Sequence, residues 1–248
     1  MKKSNLSQEG LKLIATITML IDHIGMALVY EWACLAIDAH SVYAQPLCVL
    51  YDWMRLIGRI AFPIYCFMLV EGAHHTRNMK KYRNRLLLGA LLAEIPFDLL
   101  LADKPVSFEY TSVMVTLLLG LLMVENMQKM SGIWKGALIL PFYVLAELLH
   151  TDYAGHGILI IAMLELTRGL EKEKLLRLIG LSLLLWFGVA IPVGPFMIPM
   201  ELFGLLSMIP MYCYSGRKAT HSQVVQWAFY LFYPVHLMIL WILKWILF

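Results

Sequence analysis

Asp22 and His23 stand side by side in the middle of an apolar stretch, Leu11 to Tyr30 (LKLIATITMLIDHIGMALVY). An imidazole can take a proton from a nucleophile or carry an acyl group, and a neighbouring carboxylate can tune it. As a helix, the stretch puts Asp22 eleven residues from Leu11. That is roughly 16 Å at 1.5 Å per residue, close to the midplane of a hydrocarbon core about 30 Å thick. A carboxylate at that depth costs at least about 2.5–3.5 kcal/mol. Nothing in the packing of a first span requires that cost, so the pair reads as functional. Adjacent helical positions point about 100° apart. Asp22 is therefore not expected to orient His23 directly, and the partner of His23 is sought on another helix, with Glu94, Asp98 and Glu201 as candidates.

The same question, which ionisable groups occupy apolar sequence, selects Arg55, Arg59, Glu71, Glu94, Asp98, Glu147, His156, Glu201 and His236. His236 lies about twelve residues into the last apolar run, again near mid-depth. Arg55 and Arg59 are spaced i, i+4 and share a helical face, as do Glu94 and Asp98. Buried charges are tolerated where they face a bundle interior and pair with each other or with water. A polar chamber lined from helices one, two, three and nine is expected to hold them. His74 and His75 are adjacent and make a poor metal pair, and no metal site is predicted. There is no GxGxxG, Walker A, HExxH or GxSxG signature.

The chain that must position these groups has 248 residues, 60% of them hydrophobic and 15% charged. A soluble domain is nearer 45–50% apolar and about 25% charged, and the mean hydropathy here is +0.72. The fold class expected is all-α, a single polytopic transmembrane helix bundle over residues 1–248. Apolar runs separated by charged or Pro/Gly connections give about nine spans. They fall near Leu11–Tyr30, Leu56–Val70, Leu86–Leu101, Ser112–Val124, Ile133–Leu149, Gly155–Leu166, Leu178–Ile191, Ile198–Cys213 and Val224–Phe248. With a cytoplasmic N-terminus, 16 of the 20 Lys and Arg fall on the inner side, Lys2, Lys3 and Lys218 among them. That asymmetry fits an N-in, C-out chain. The first run is too long and too polar at its centre for a cleavable signal peptide. Cys34, Cys48, Cys66 and Cys213 form no CxxC. Cys34 and Cys48 share a loop, Glu31 to Asp52, expected outside, where a disulfide could form.

Three blocks carry a family resemblance: LKLIATITMLIDHIG, RLIGRIAFPIYCFMLVEGAHHTRNMKKYRNRLLLGALLAEIPF and FYPVHLMIL. With DYAGHGILII (Asp152–Ile161) and YSGRK (Tyr214–Lys218), they resemble the TraX family in the right order over most of the chain. That family is named for a membrane protein that acetylates the N-terminus of conjugative pilin. The resemblance implies a bacterial inner-membrane acetyltransferase that takes its acetyl group from acetyl-CoA. The acceptor is an amine or hydroxyl on a peptide, glycan or similar molecule, and no nucleic acid is involved. Read in that light, His23 is the base or acyl carrier, Asp22 tunes it, and Arg59 stabilises the oxyanion or a phosphate with Arg55 in support. Arg77, Lys81 and Arg85, with Lys80 and Arg83, form a cytoplasmic cluster suited to the phosphates of coenzyme A. Glu71, Glu94, Asp98, Glu201 and His236 complete the polar chamber.

Two other functions fit the same residues. A proton-coupled secondary transporter would use the Asp, His and Glu set as a relay, although no internal repeat supports it. In a non-catalytic assembly protein the buried charges would only register the helices.

Overall fold

The computed structural model describes residues 6–107, 109–193, 196–217 and 222–248. Lys2, Lys3 and Lys218, counted above for orientation, lie outside the described residues. The chain is mostly helical. α1 (Gln8–Ile24) continues through a π-helical turn (Gly25–Val29) into α2 (Tyr30–Asp38); α3 (Ala44–Gly58) runs into α4 (Ala61–His75). Then come α5 (Met79–Ala102), α6 (Val113–Met127), α7 (Trp134–Ala137), α8 (Ile139–Leu148), α9 (Ala154–Leu166) and α10 (Glu173–Leu184). A hairpin of β1 (Ala190–Val193) and β2 (Phe196–Pro199) leads to a 3₁₀ helix (Met200–Ser207), α11 (Met208–Tyr212) and α12 (Gln223–Leu247).

Local chemistry sets several of these boundaries. Ser7 accepts a hydrogen bond from the Gly10 amide at 3.1 Å and caps α1; Asn78 accepts from the Lys81 amide at 2.9 Å and caps α5. Both satisfy amides that the first helical turn leaves unpaired. The loop expected from Glu31 to Asp52 shrinks to residues 39–43, because the apolar YEWACLAID and AQPLCVLYD segments continue their helices. Cys34 and Cys48 are free thiols. The seventh apolar run is not one helix to Ile191: α10 ends at Leu184, and Ala190–Val193 pairs antiparallel with Phe196–Pro199. Ile191 and Val193 favour strand, and Pro192 cannot donate to a helical ladder.

α4, α6 and α9 form the centre, with buried residues on every side: Ile64, Phe67 and Val70 on α4, Leu121 and Met123 on α6, Ile158 and Ile161 on α9. A helix apolar all round belongs in an interior. α1 packs on α3, α4 and α12; α12 lies along α5; and α8 covers α9. These outer helices bury one face and leave the other exposed and apolar, as Leu87, Leu91 and Ile95 do on α5. Exposed faces of that kind suit lipid rather than water. Among the described residues, Gln8–Asp38, Ala44–His75 and Gln223–Leu247 are each long and apolar enough to cross a membrane.

Candidate active site

Asp22 and His23 project from one turn of α1 toward different neighbours. On the Asp22 side stand α3 and α4, which approach closely because residue 58 is glycine. A Cβ there would fall on the Asp22 side chain. Arg55 donates from Nη1 to Asp22 Oδ2 at 2.7 Å, and Arg59 donates from Nη2 to both Asp22 oxygens at 3.0 and 3.1 Å. Arg59 Nη1 reaches Glu201 Oε1 on the 3₁₀ helix at 2.7 Å, and its Nε donates to the Arg55 carbonyl at 3.1 Å. Asp22 is 8% exposed. Two guanidinium groups and two carboxylates thus pair with one another, with Arg59 at the centre and Glu201 Oε2 left without a hydrogen-bond partner among the described residues.

His23 faces α12. Its Nδ1 lies 2.6 Å from His236 Nε2, and His236 Nδ1 lies 2.7 Å from the Phe232 carbonyl. A carbonyl only accepts, so His236 carries its proton on Nδ1 and offers a lone pair at Nε2. His23 must then donate from Nδ1, which leaves its own Nε2 with a lone pair. The ring planes are inclined by only 18° with centroids 4.9 Å apart. That separation, with the nitrogens 2.6 Å apart, describes an end-to-end contact in a common plane rather than face-to-face stacking. Tyr233 meets the His23 ring edge-on at 5.9 Å, and Phe232 stacks on His236 at 4.7 Å.

A cavity of about 240 Å³ opens on this site. His23, Asp22, Arg55 and Arg59 line it, together with Asp152, Tyr153, Tyr65 and Tyr233. His236 is 5% exposed and lies behind His23, off the cavity wall. Tyr153 stacks on Phe62 at 3.7 Å, and its hydroxyl oxygen is 3.5 Å from Arg59 Nη1. Tyr153 and Ala154 both adopt positive φ, 62° and 43°. Left-handed backbone in non-glycine residues costs on the order of 1–3 kcal/mol and concentrates at functional sites. No group of histidine, cysteine and carboxylate side chains suited to a metal occurs among the described residues.

Several residues chosen from the sequence meet here: Asp22, His23, Arg55, Arg59, Glu201 and His236. Others do not. Glu94 accepts from the Ser112 amide at 3.2 Å and from its hydroxyl, and Asp98 accepts from the Ser107 amide at 2.8 Å. Their shared face looks onto the chain returning from α5 to α6, so they pin that connection instead of lining the chamber. Glu71 pairs with Arg168 at 3.0 Å, at the other end of α4. The partner of His23 is none of the three carboxylates expected but His236. Arg55 is paired with Asp22 and also lines the His23 cavity. Arg77 and Lys81 are exposed on the surface, while Arg85 turns inward to a second cavity. Tyr153, Asp152, Tyr65 and Gly58 were not selected from the sequence. Tyrosines in apolar sequence give no hydropathy signal, and Gly58 matters only through what α1 places opposite it.

The family model described as TraX protein matches residues 7–244. The chain belongs to the TraX family. A curated relative from Dichelobacter nodosus, named probable fimbrial assembly protein FimC, serogroup H1, is 30% identical over 247 residues, covering 93% of this chain and 92% of that one. No solved structure matches.

Proposed function

We propose that this TraX-family protein is a multi-pass bacterial inner-membrane enzyme that moves an acetyl group from acetyl-CoA to an amine or hydroxyl acceptor. The observation that carries the reading is the fixed imidazole pair. His236 ties down Nδ1 of His23, so that the Nε2 lone pair is presented to a cavity walled by Asp22, Asp152, Arg55 and Arg59. In the reaction, the acceptor nitrogen or oxygen attacks the thioester carbonyl while His23 Nε2 takes the proton. The carbon–sulfur bond then breaks, and the thiolate leaves with that proton. Positive charge and hydroxyl donors near the tetrahedral oxygen lower the barrier. Arg55 and Arg59, already paired with carboxylates, hold the wall in shape, and Tyr153 supplies a hydroxyl beside them. Nine spans with a cytoplasmic N-terminus agree with the alternation of basic connections and with the exposed apolar faces of the outer helices. The fimbrial name of the D. nodosus relative points to a surface-fibre subunit or its assembly as the setting, with a peptide N-terminus as the leading acceptor.

The test uses purified protein in detergent with radiolabelled acetyl-CoA. Wild type should consume the thioester or become labelled, and His23→Ala should lose this by about 10²–10⁴-fold while eluting as the same monodisperse species. Failure of the wild type to bind or turn over acetyl-CoA overturns the reading. The hydrogen-bonded histidine pair would then favour a proton-coupled carrier, tested by proton flux in vesicles.

A further inference from the structure

A second cavity, of about 220 Å³, lies in the same bundle. Its walls come from the same helices as the His23 cavity, displaced along them. On α1 it takes Lys12 where the other takes His23; on α5, Arg85 where the other takes Phe97; on α12, Tyr230 where the other takes Leu237. Eleven helical residues separate Lys12 from His23, a rise of roughly 16 Å. The cavities are therefore stacked along the bundle axis. Tyr65 of α4 lines both, and its hydroxyl is joined to Thr16 Oγ1 of α1 at 3.0 Å. That bond fixes the ring in the space between α1 and α4, where the two cavities meet.

The chemistry of the two differs. In the second cavity the Arg85 guanidinium lies 6.0 Å from the Tyr82 ring and 5.9 Å from the Tyr230 ring, and Lys12 Nζ is 5.5 Å from the Phe229 ring. Arg85 Nε is buried and has no hydrogen-bond partner among the described residues. Two carboxylates, Glu9 and Glu71, also line it, and Glu71 is paired with Arg168. Cations set among aromatic faces recognise phosphate and a stacked base together. The His23 cavity has instead the imidazole and a wall in which Asp22 and Asp152 stand with Arg55 and Arg59, and among the described residues no cation there is set among aromatic rings.

We infer that donor and acceptor enter from opposite ends of the bundle. The Arg85 cavity takes an acyl thioester with an anionic, nucleotide-like head from the side of the N-terminus. The acceptor enters the His23 cavity from the other side, and Tyr65 is the partition that only the thioester arm passes. This rests on the acyl-transfer reading. It makes the reaction vectorial: the thiol is released on the N-terminal side and the acylated product on the other.

The test reads sidedness without turnover. With Cys34, Cys48, Cys66 and Cys213 replaced, Gln226→Cys in the Arg85 cavity and Met26→Cys in the His23 cavity are placed singly in the full chain in sealed vesicles. A membrane-impermeant methanethiosulfonate is applied to each face. Gln226→Cys should label only from the N-terminal face, and acetyl-CoA should abolish that labelling. Met26→Cys should label only from the opposite face, and should be less completely protected by acetyl-CoA than Gln226→Cys, because only the thioester arm reaches that cavity. Adding Tyr65→Ala should let Met26→Cys react from both faces, whereas Tyr65→Phe should not, because it keeps the ring. Labelling of both positions from one face overturns the two-sided path and leaves acyl transfer at His23 standing. Protection of Met26→Cys alone, from its own face, reverses donor and acceptor and overturns the assignment. Acetyl-CoA that is neither bound nor turned over overturns both readings.

Discussion

Consecutive residues on α1 serve opposite ends. Asp22 is enclosed by Arg55 and Arg59, and Arg59 is shared with Glu201, so the two guanidinium groups and two carboxylates are paired with one another. His23 has one nitrogen tied to His236 and the other left facing a cavity. A paired ion set holds three chain segments in register. A half-satisfied imidazole stabilises little and keeps a reactive lone pair. Proximity in sequence is thus no guide to shared work here. The turn of the helix, about 100° per residue, sends the two side chains into different environments.

The largest effect should come from breaking the paired set. Asp22→Ala leaves Arg55, whose side chain is 21% exposed, without its carboxylate and Arg59 with Glu201 alone. Removing one partner of a fully buried pair costs about 3–5 kcal/mol, and the loss here should approach the lower figure. Denaturation in detergent should show that loss, with activity failing because the fold fails. A variant that remains as stable as wild type would mean that water fills the gap and that Asp22 is not the clamp described. Gly58→Ala attacks the same set from the other side, since its new Cβ falls where the Asp22 side chain now lies. Overpacking of this kind costs about 1–3 kcal/mol. Combining it with Asp22→Ala should relieve only the part of the clash made by the carboxyl group, because the Cβ of residue 22 still meets the new one.

The imidazole side should respond in activity rather than stability. His236→Gln keeps a side chain of similar reach but does not reproduce the fixed ring orientation. Losing one oriented hydrogen bond is worth about 1–3 kcal/mol, so turnover should fall about ten- to a hundredfold with little change in melting. The KM for acetyl-CoA should hold, since His236 lies off the cavity wall. A rise in that KM with unchanged kcat would place His236 in donor binding and break the contrast with Asp22.

How much of this was legible follows the same physics. Depth along an apolar run singled out Asp22, His23 and His236, and the i, i+4 spacing put Arg55 and Arg59 on one face. Neither signal says which helix lies opposite, so the histidine pair was invisible and carboxylates were expected in its place. Hydropathy marks where lipid can be, not where a helix stops. α2 and α3 therefore run on through a stretch that reads as loop, and the span read as Leu178–Ile191 runs into the first half of the Ala190–Val193 strand. The pairing of charged residues with backbone amides is equally silent in sequence, and this misplaced Glu94 and Asp98 in the chamber.

Those two carboxylates give the smallest expected effect and the cleanest control. Glu94 receives the Ser112 amide and hydroxyl, at the start of α6, has no ion pair among the described residues and lies off the wall of the His23 cavity. Glu94→Gln retains an acceptor oxygen in place and loses only the charge on it. The difference between a charged and a neutral hydrogen bond is about 1 kcal/mol. A slight fall in stability is expected, with turnover and its pH profile unchanged. Equal insensitivity in Glu94→Ala would show that the connection from α5 to α6 needs no pin. A loss of turnover in Glu94→Gln out of proportion to its stability would return Glu94 to the chamber as a proton carrier, and the division between a paired scaffold and a single half-satisfied imidazole would have to be redrawn.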